Sequence, residues 1–336
     1  MARVRIGTLA AARITTPALI TPARQVPEAV VTAVAARDRS RAEAFAAEHG
    51  IPVVHDSYET LIADPDIDAI YNPLPNSLHA PWTLRAIAAG KHVLCEKPFT
   101  SRADQAVEVA EAAERSGLVV MEAMHYRYHP LAEIMQEQLA MIADPDSGPE
   151  ESVRHIHCVV SFPLDGLDDI RHDYELAGGA TMDAGCYAID CIRLLGPGEP
   201  EVVAALATEQ NPDVDRAMTA FLRFPGGATA WLDVALTQGG KIRDDVHVVG
   251  AQGQTRVQNF AFPHVRYRVT TRTPKLSETI SSPPGESPQT TYAGQLRAFT
   301  GAVLRGERFP TTPEHAIGTM RLIDDIYRAA DLPLRP

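Results

Sequence analysis

The sequence predicts an α/β protein of two domains, a doubly wound parallel sheet followed by an α+β domain with one large, open, mostly antiparallel sheet. Three observations carry this reading. Short apolar strands alternate six times with helical patterns through residues 1–124. One of those strands halts abruptly at an acid, a base and a proline within KHVLCEKPF, Lys91 to Phe99. Beyond residue 150 the period shortens to successive strands joined by glycine turns. We place the boundary between residues 124 and 125, and 336 residues are ample for two such domains.

Arg3 to Leu9 alternates into a first strand, and Ala10 to Ile20 follows with helix formers, Pro17 suiting a first turn. A strand, a tight turn and a helix start make an anion site for a pyrophosphate. The glycine fingerprint for that turn is replaced here by Ala10-Ala11-Ala12-Arg13-Ile14-Thr15. Alanine at the first position costs about 1 kcal/mol if the turn needs a positive φ. Val30 to Ala35 is the second strand. It ends at Arg37, where an NAD enzyme places a carboxylate and where a guanidinium pairs with a 2′-phosphate, so the chemistry favours NADP, with NAD as the alternative.

Arg39 to Gly50 reads as a helix closed by its glycine, with Ala42, Phe45, Ala46 and His49 on one face. Ile51 to Val54 is strand three, Tyr58, Leu61 and Ile62 face inward from a short helix, and Ile67 to Tyr71 is strand four. His79 opens the helix Ala80 to Ala89. Strand five is His92 to Cys95; Pro98 offers no amide hydrogen and keeps Lys97 out of the helical region, so Glu96 and Lys97 stand at the strand's carboxyl end. In an open parallel sheet ligands bind at that edge. The helix Ser101 to Ser116, with Ser101 as N-cap and Gly117 as stop, and the strand Leu118 to Glu122 complete the domain.

In the second half, the polar aromatics of His125 to Pro130 emerge at the same edge, and Tyr126 and Arg127 read as a wall for hydroxyl-bearing substrate. A helix Leu131 to Met141 and a turn Asp144 to Pro149 lead into strands at Val153 to Phe162, Pro200 to Ala207, Ala217 to Phe224, Ala228 to Leu236, Asp244 to Val249 and Thr255 to Phe260. Pro225-Gly226-Gly227 and Ala251-Gln252-Gly253 are hairpin turns. Gly178-Gly179 precedes a helix, Thr181 to Leu195, on which Asp183 and Tyr187 are four residues apart and share a face; the glycines allow a ligand close to its start. Ser281 to Pro288 reads as a loop, and Tyr292 to Leu304 and Pro313 to Ala330 as amphipathic helices. An open sheet with one uncovered face predicts pairing with further copies, a homodimer or homotetramer.

A net charge of −12 argues against a nucleic-acid or anionic-membrane partner. Four cysteines without CxxC spacing read as reduced thiols rather than a disulfide frame or metal site, and with no apolar run of membrane length the expectation is a cytoplasmic protein holding no metal.

Three blocks together resemble the glucose–fructose oxidoreductase/inositol dehydrogenase/rhizopine-catabolism (Gfo/Idh/MocA) family: Tyr71 to His79 (YNPLPNSLH), Glu96-Lys97-Pro98, and Ala177 to Tyr187 (AGGATMDAGCY). They stand in the family's order across nearly the whole chain. The tyrosine at 187, where many relatives carry histidine, is similar to the glucose–fructose oxidoreductase and dimeric dihydrodiol dehydrogenase branch. The resemblance implies a Rossmann domain in which Ala10, Ala11, Ala12, Arg13, Ile14, Arg37, Asn72, Pro73, Asn76, His79, Glu96 and Lys97 line the cofactor. It implies that Lys97, Tyr187 and Asp183 are catalytic and that Tyr126, Arg127, Arg171, Asp183 and Tyr187 meet the substrate.

The activity so implied is NADP-dependent hydride transfer between a nicotinamide and a secondary alcohol or ketone of a sugar, cyclitol or diol. A phenol titrates near 10, so Tyr187 needs a cation such as Lys97 to work near neutrality. Two alternatives stay open: a non-catalytic, ligand-sensing protein on the same fold, and redox-assisted elimination or glycoside cleavage in which the hydride returns to the substrate.

Overall fold

The computed structural model describes residues 2–144, 152–164, 166, 168–282 and 290–336, and the expected turn at 144–149 and loop at 281–288 lie largely outside them. Two compact units emerge, Met1–Tyr128 with Gln289–Ile317, and His129–Pro288 with Gly318–Pro336.

The first unit is built on a six-stranded sheet of order β3-β2-β1-β4-β5-β6. Its strands are β1 (Val4–Leu9), β2 (Ala29–Ala35), β3 (Val53–His55), β4 (Ala69–Asn72), β5 (His92–Cys95) and β6 (Val120–Glu122). Every pairing is parallel. The order reverses between β1 and β4, which makes their carboxyl ends the point where such a sheet receives a ligand. Helices α1 (Thr16–Ile20 running on as Thr21–Ala23), α2 (Arg39–His49), α3 (Tyr58–Ala63), α4 (His79–Ala88) and α5 (Ala103–Ser116) supply the crossovers.

Local signals place most of these elements. Gly50 and Gly117 close α2 and α5 in the left-handed conformation, at φ 71° and 66°. Ser57 and Thr60 cap α3 reciprocally. At α5 the cap position is Arg102, one residue later than expected. Ser101 instead hydrogen-bonds the side chain of Gln105, donating to Oε1 from N at 3.2 Å and from Oγ at 2.8 Å.

The boundary expected at 124/125 differs from the division in two ways. The first unit runs on to Tyr128, and it also takes Gln289–Ile317 from far along the chain. The reason is apolar surface. The helix Thr291–Arg305 inserts Tyr292, Ala293, Leu296 and Phe299 into the core formed by Val4, Ile6, Leu19, Tyr71, Leu94 and Met121. Burying side chains such as Leu296 and Phe299 stabilises the domain by roughly 1.5–3 kcal/mol each.

The second unit carries an eight-stranded sheet of order β14-β13-β12-β11-β7-β10-β9-β8. The strands are β7 (Val153–Pro163), β8 (Glu201–Asn211), β9 (Val214–Arg223), β10 (Thr229–Thr237), β11 (Arg243–Gly250), β12 (Gln254–Gln258), β13 (Arg268–Arg272) and β14 (Ser277–Ser281). All neighbours are antiparallel except β7 and β10. Both expected hairpins form. The hairpin β13–β14 is an addition to the sequence reading; its strands are rich in arginine, threonine and serine, and polar strands at a sheet edge leave little apolar alternation to detect.

One face of this sheet is dry. Ile156, Cys158, Val160, Leu222, Leu232, Val246 and Val248 are buried on it, beneath α6 (Leu131–Ile142) and α7 (Thr181–Gly185 running on as Cys186–Leu195). The other face carries His155, His157, Trp231, Phe221 and Leu206, with Trp231 44% and Leu206 76% exposed. A cavity of about 470 Å³ on it is lined by His157, His247, Arg243, Arg256, Arg272 and Asp245, among others.

Candidate active site

In the first unit the turn after β1 contains the expected backbone conformation. Ala10 has φ 66°, in the region that favours glycine, and its N–H donates to Ala35 O at 2.7 Å. Helix α1 begins at Thr16 rather than at Ala10, so residues 10–15 form the turn itself. Gly7 plays a different part: the side chains of Leu61 and Ile67 occupy the space its Cβ would need. Thr15 is fully buried, and its hydroxyl has no partner among the described residues. The turn and the backbone conformation at Ala10 fit a pyrophosphate at the β1–β4 switch point.

At the end of β2, Asp38 is committed to its own helix. Its Oδ1 accepts from Ser40 N at 2.9 Å, Ser40 Oγ at 2.7 Å and Arg41 N at 3.4 Å, and these donors hold its carboxyl below the usual range. Arg37 beside it is exposed. Arg41, which sequence reasoning passed over, leans toward the turn and donates to Ala11 O at 3.5 Å. A cationic rim therefore borders the position of an adenosine ribose in this fold, the chemistry that a 2′-phosphate needs.

The segment from Asn72 to Lys97 is held from behind. Asn72 is buried; its Nδ2 donates to His79 O at 3.1 Å and to Thr83 Oγ1 at 3.2 Å. His79 is 1% exposed, with Nδ1 2.7 Å from Pro98 O and Nε2 2.7 Å from Leu74 O. Burial is the largest influence on this ring and pushes its pKa down to about 4; the two carbonyls oppose that and the Lys97 charge reinforces it. Asn72 and His79, expected to line the cofactor, here tie the backbone after β4 to the Lys97–Pro98 peptide, which is cis. Pro73 and Asn76 belong to the loop so tied.

Glu96 is also buried, and Tyr71 donates to its Oε1 at 2.7 Å. Burial, and after it the Glu96 charge, keep the Tyr71 hydroxyl protonated far above its ordinary range, so the donor is permanent. Phe99 N donates to Glu122 Oε1 at 3.0 Å, fixing the other side of the turn. Lys97 thus sits on a backbone restrained on both flanks. Tyr126 is 1% exposed, while Arg127 is half-buried with Nη1 3.4 Å from His315 Nε2.

In the second unit, Asp183 and Tyr187 lie on α7 but in different company. Asp183 Oδ2 accepts from Arg171 Nε at 2.8 Å, and Arg171 Nη1 donates to Asp169 Oδ1 at 3.0 Å. The carboxylate of Asp183, and after it that of Asp169, raise Arg171 above its already high pKa. Arg171 and Asp183, both expected to meet substrate, form a preassembled ion pair. Tyr187 is 3% exposed, with its ring 6.0 Å from that of Phe162 and 6.2 Å from that of Phe262. Phe262 is set by Asp244, whose Oδ2 accepts from Ala261 N at 2.9 Å and Phe262 N at 3.2 Å.

The glycines before α7 differ from expectation. A Cβ on Gly178 would meet the backbone of Arg171 and Asp173, and one on Gly179, at φ 124°, would meet the Asp215 carboxylate. Their small size serves packing inside the protein rather than approach of a ligand. Asp215, Tyr327 and Arg335, which contact this loop, escaped the sequence reading; the one available signal was an aspartate in an otherwise apolar inward-facing strand.

A sheet of this order, with a left-handed turn after β1, is the architecture that binds dinucleotides at its switch point. Residues 5–124 match the model of an oxidoreductase family with an NAD-binding Rossmann fold, and residues 146–256 match the GFO/IDH/MocA C-terminal domain. The chain is a member of the GFO/IDH/MocA family. It is 38% identical over 322 residues to D-xylose 1-dehydrogenase (NADP(+)) 2 of Haloferax volcanii, covering 93% of each chain. It is 31% identical to mouse (Mus musculus) trans-1,2-dihydrobenzene-1,2-diol dehydrogenase, over 69% of this chain and 68% of the relative. Among solved structures it is similar to KijD10, a 3-ketoreductase from Actinomadura kijaniata in complex with NADP and TDP-benzene. That match has a TM-score of 0.84 and 29% identity, over 97% of this chain and 98% of the other.

Proposed function

We propose that the protein transfers hydride between NADP and a secondary alcohol or ketone of a neutral sugar, cyclitol or diol. The observation that carries the substrate class is the charge at α7. Two carboxylates, Asp169 and Asp183, share one guanidinium, Arg171. Carboxylates held in this way suit neutral hydroxyls, each able to donate to a carboxylate. The NADP-linked xylose dehydrogenase and the diol dehydrogenase among the relatives agree with that chemistry.

The nicotinamide supplies the hydride chemistry, and the chain supplies binding, alignment and proton handling. The turn Ala10 to Ile14 and the Arg37–Arg41 rim hold the phosphates. Asn72 and His79 act behind the site, keeping Lys97 in place. Asp183, oriented by Arg171, accepts a substrate hydroxyl. Lys97 and Tyr187 share the proton of the reacting hydroxyl: the ammonium favours the phenolate and polarises the carbinol oxygen, while the phenol carries the proton. Tyr126 and Arg127 complete the substrate wall.

The active form is a homodimer or homotetramer joined through the outer face of the eight-stranded sheet. Support comes from Leu206 and Trp231, large apolar side chains that this face leaves exposed. The setting is cytoplasmic, in keeping with four buried cysteines that form no disulfide. Among the described residues no helix is long and apolar enough to cross a membrane.

The test is a panel of D-xylose, D-glucose, myo-inositol and trans-1,2-cyclohexanediol with NADP⁺ and NAD⁺, followed by kinetics of Lys97→Met, Tyr187→Phe and the double variant. Each single change should lower kcat by about 100-fold or more while NADP binding persists. The double variant should lose far less than the product of the singles, because groups acting as a unit are not additive. No turnover across the panel would overturn the activity, and fully multiplicative losses would overturn the shared proton.

A further inference from the structure

Helix α7 enters its first turn without a side-chain cap of its own, since the capping position is Ala180. The cap comes from elsewhere in the same unit. Asp215, at the start of β9, accepts through Oδ2 from both Thr181 N and Thr181 Oγ1 at 2.7 Å. Its other oxygen, Oδ1, accepts from Tyr327 OH at 3.0 Å and from Arg335 Nη2 at 2.8 Å. Asp215 and Arg335 side chains are both 0% exposed, so the ion pair is sealed from water. The carboxylate receives four donors, which is what a buried anion requires.

Arg335 then reaches back to the loop that leads into the helix. Its Nε donates to Gly178 O at 2.8 Å and its Nη1 to Asp213 O at 2.7 Å. The guanidinium stacks over the Tyr327 ring at 4.0 Å. Gly178 and Gly179 are in turn bound to the segment carrying Arg171: Gly179 N donates to Arg171 O at 2.9 Å and Gly178 N to Asp173 O at 2.9 Å. From the other side, Asp183 N donates to Gly179 O at 3.1 Å. One anchor therefore registers both members of the Arg171–Asp183 pair, the arginine through its carbonyl and the aspartate through the first turn of its helix.

We infer that Asp215 and Arg335 are positioning residues for the reaction, a cap supplied from a distant strand of the same unit that sets where Asp183 and Arg171 present themselves to substrate. This rests on the reading of Asp183 as a substrate-orienting group. A purely structural pair would lower thermal stability and leave the kinetics of the folded enzyme alone. A positioning pair changes substrate KM and kcat at temperatures where the variant is fully folded, because a displacement of about 1 Å at a reacting group costs up to about 100-fold.

The experiment uses full-length protein, saturating NADP⁺ and whichever member of the panel above turns over fastest, at least ~20 °C below each variant's Tm. Arg335→Lys keeps the charge and loses the fork that spans Asp215, Gly178 and Asp213. Thr181→Val keeps the volume and loses one of Asp215's four donors, so it serves as the milder change should Arg335→Lys fail to fold. The expected result is a fall in kcat/KM of about 10-fold or more for Arg335→Lys and a smaller fall for Thr181→Val, with the Kd for NADPH by fluorescence unchanged. Asp183→Asn, measured alongside, reports on the underlying reading. If Asp183→Asn lowers kcat/KM while the folded anchor variants match the parent enzyme, the positioning role is overturned. If Asp183→Asn itself has parental kinetics, the reading beneath it falls, and the inference with it.

Discussion

Arg171 donates through Nε to Oδ2 of Asp183 at 2.8 Å, and the side chains are 34% and 14% exposed. The aspartate is thus held in a fixed orientation, and the arginine lies between the carboxylates of Asp183 and Asp169.

Removing that cation should disarm the aspartate. Arg171→Met leaves Asp183 beside Asp169 with no guanidinium between them, and the carboxylates then repel. Substrate KM should rise by about 10-fold, the scale of one charge-assisted hydrogen bond, with the Kd for NADPH unchanged. Steady-state kinetics paired with a fluorescence titration measures both.

Cofactor choice should follow the arginine rim. Asp38 Oδ1 is engaged in capping α2, which leaves Arg37 and Arg41 as the cations of this rim. Arg37→Ala should weaken NADP by roughly 1.5–3 kcal/mol and leave NAD nearly untouched. Arg41→Ala should act in the same direction. Equal losses for both cofactors would remove the rim from any role in selectivity.

Ala10 carries a backbone penalty that is present with or without cofactor. At φ 66° a left-handed alanine costs roughly 1–2 kcal/mol. Relief by Ala10→Gly should therefore appear as stability, a net gain of about 1 kcal/mol or somewhat less after glycine's greater freedom in the unfolded chain. Thermal unfolding reads this directly. Cofactor affinity should change little, since the turn is already formed.

Asp244 should make stability depend on pH. Its carboxyl is 0% exposed, and burial pushes its pKa from 3.8 up to about 7, against the backbone donors of Ala261 and Phe262. The folded state therefore binds the proton more tightly than the unfolded chain does. That stabilisation is complete below about pH 4 and fades as pH rises toward 7. Asp244→Asn should flatten this part of the stability profile in denaturant titrations between pH 4 and 8. Because Asp244 also holds Phe262 beside the Tyr187 ring, kcat of this variant is worth following over the same range.

Much of the architecture was legible because it rests on short-range physics. The alternation of strand and helix, the stop at Pro98, the left-handed glycines Gly50 and Gly117, and the hairpin turns are local decisions, written into neighbouring residues. The strand β5 occupies His92–Cys95 as read. Polar strands such as β13 and the edge strand β14 lack the apolar period, and so they emerged only from the fold.

By itself, the chain's order of residues determined the doubly wound sheet, the six-strand sequence of its elements, the turn at Ala10 and the placing of Lys97 at a strand end. Each follows from hydrophobic period, proline and glycine stereochemistry acting over a few residues. Tertiary structure alone decided three things: that Thr291–Arg305 completes the core of the first domain, that Arg171 pairs with Asp183, and that Asp215 caps a helix beginning 34 residues before it. These depend on desolvation. A buried charge or an apolar helix face selects whichever partner the whole fold brings within reach, and no spacing along the sequence encodes that partner.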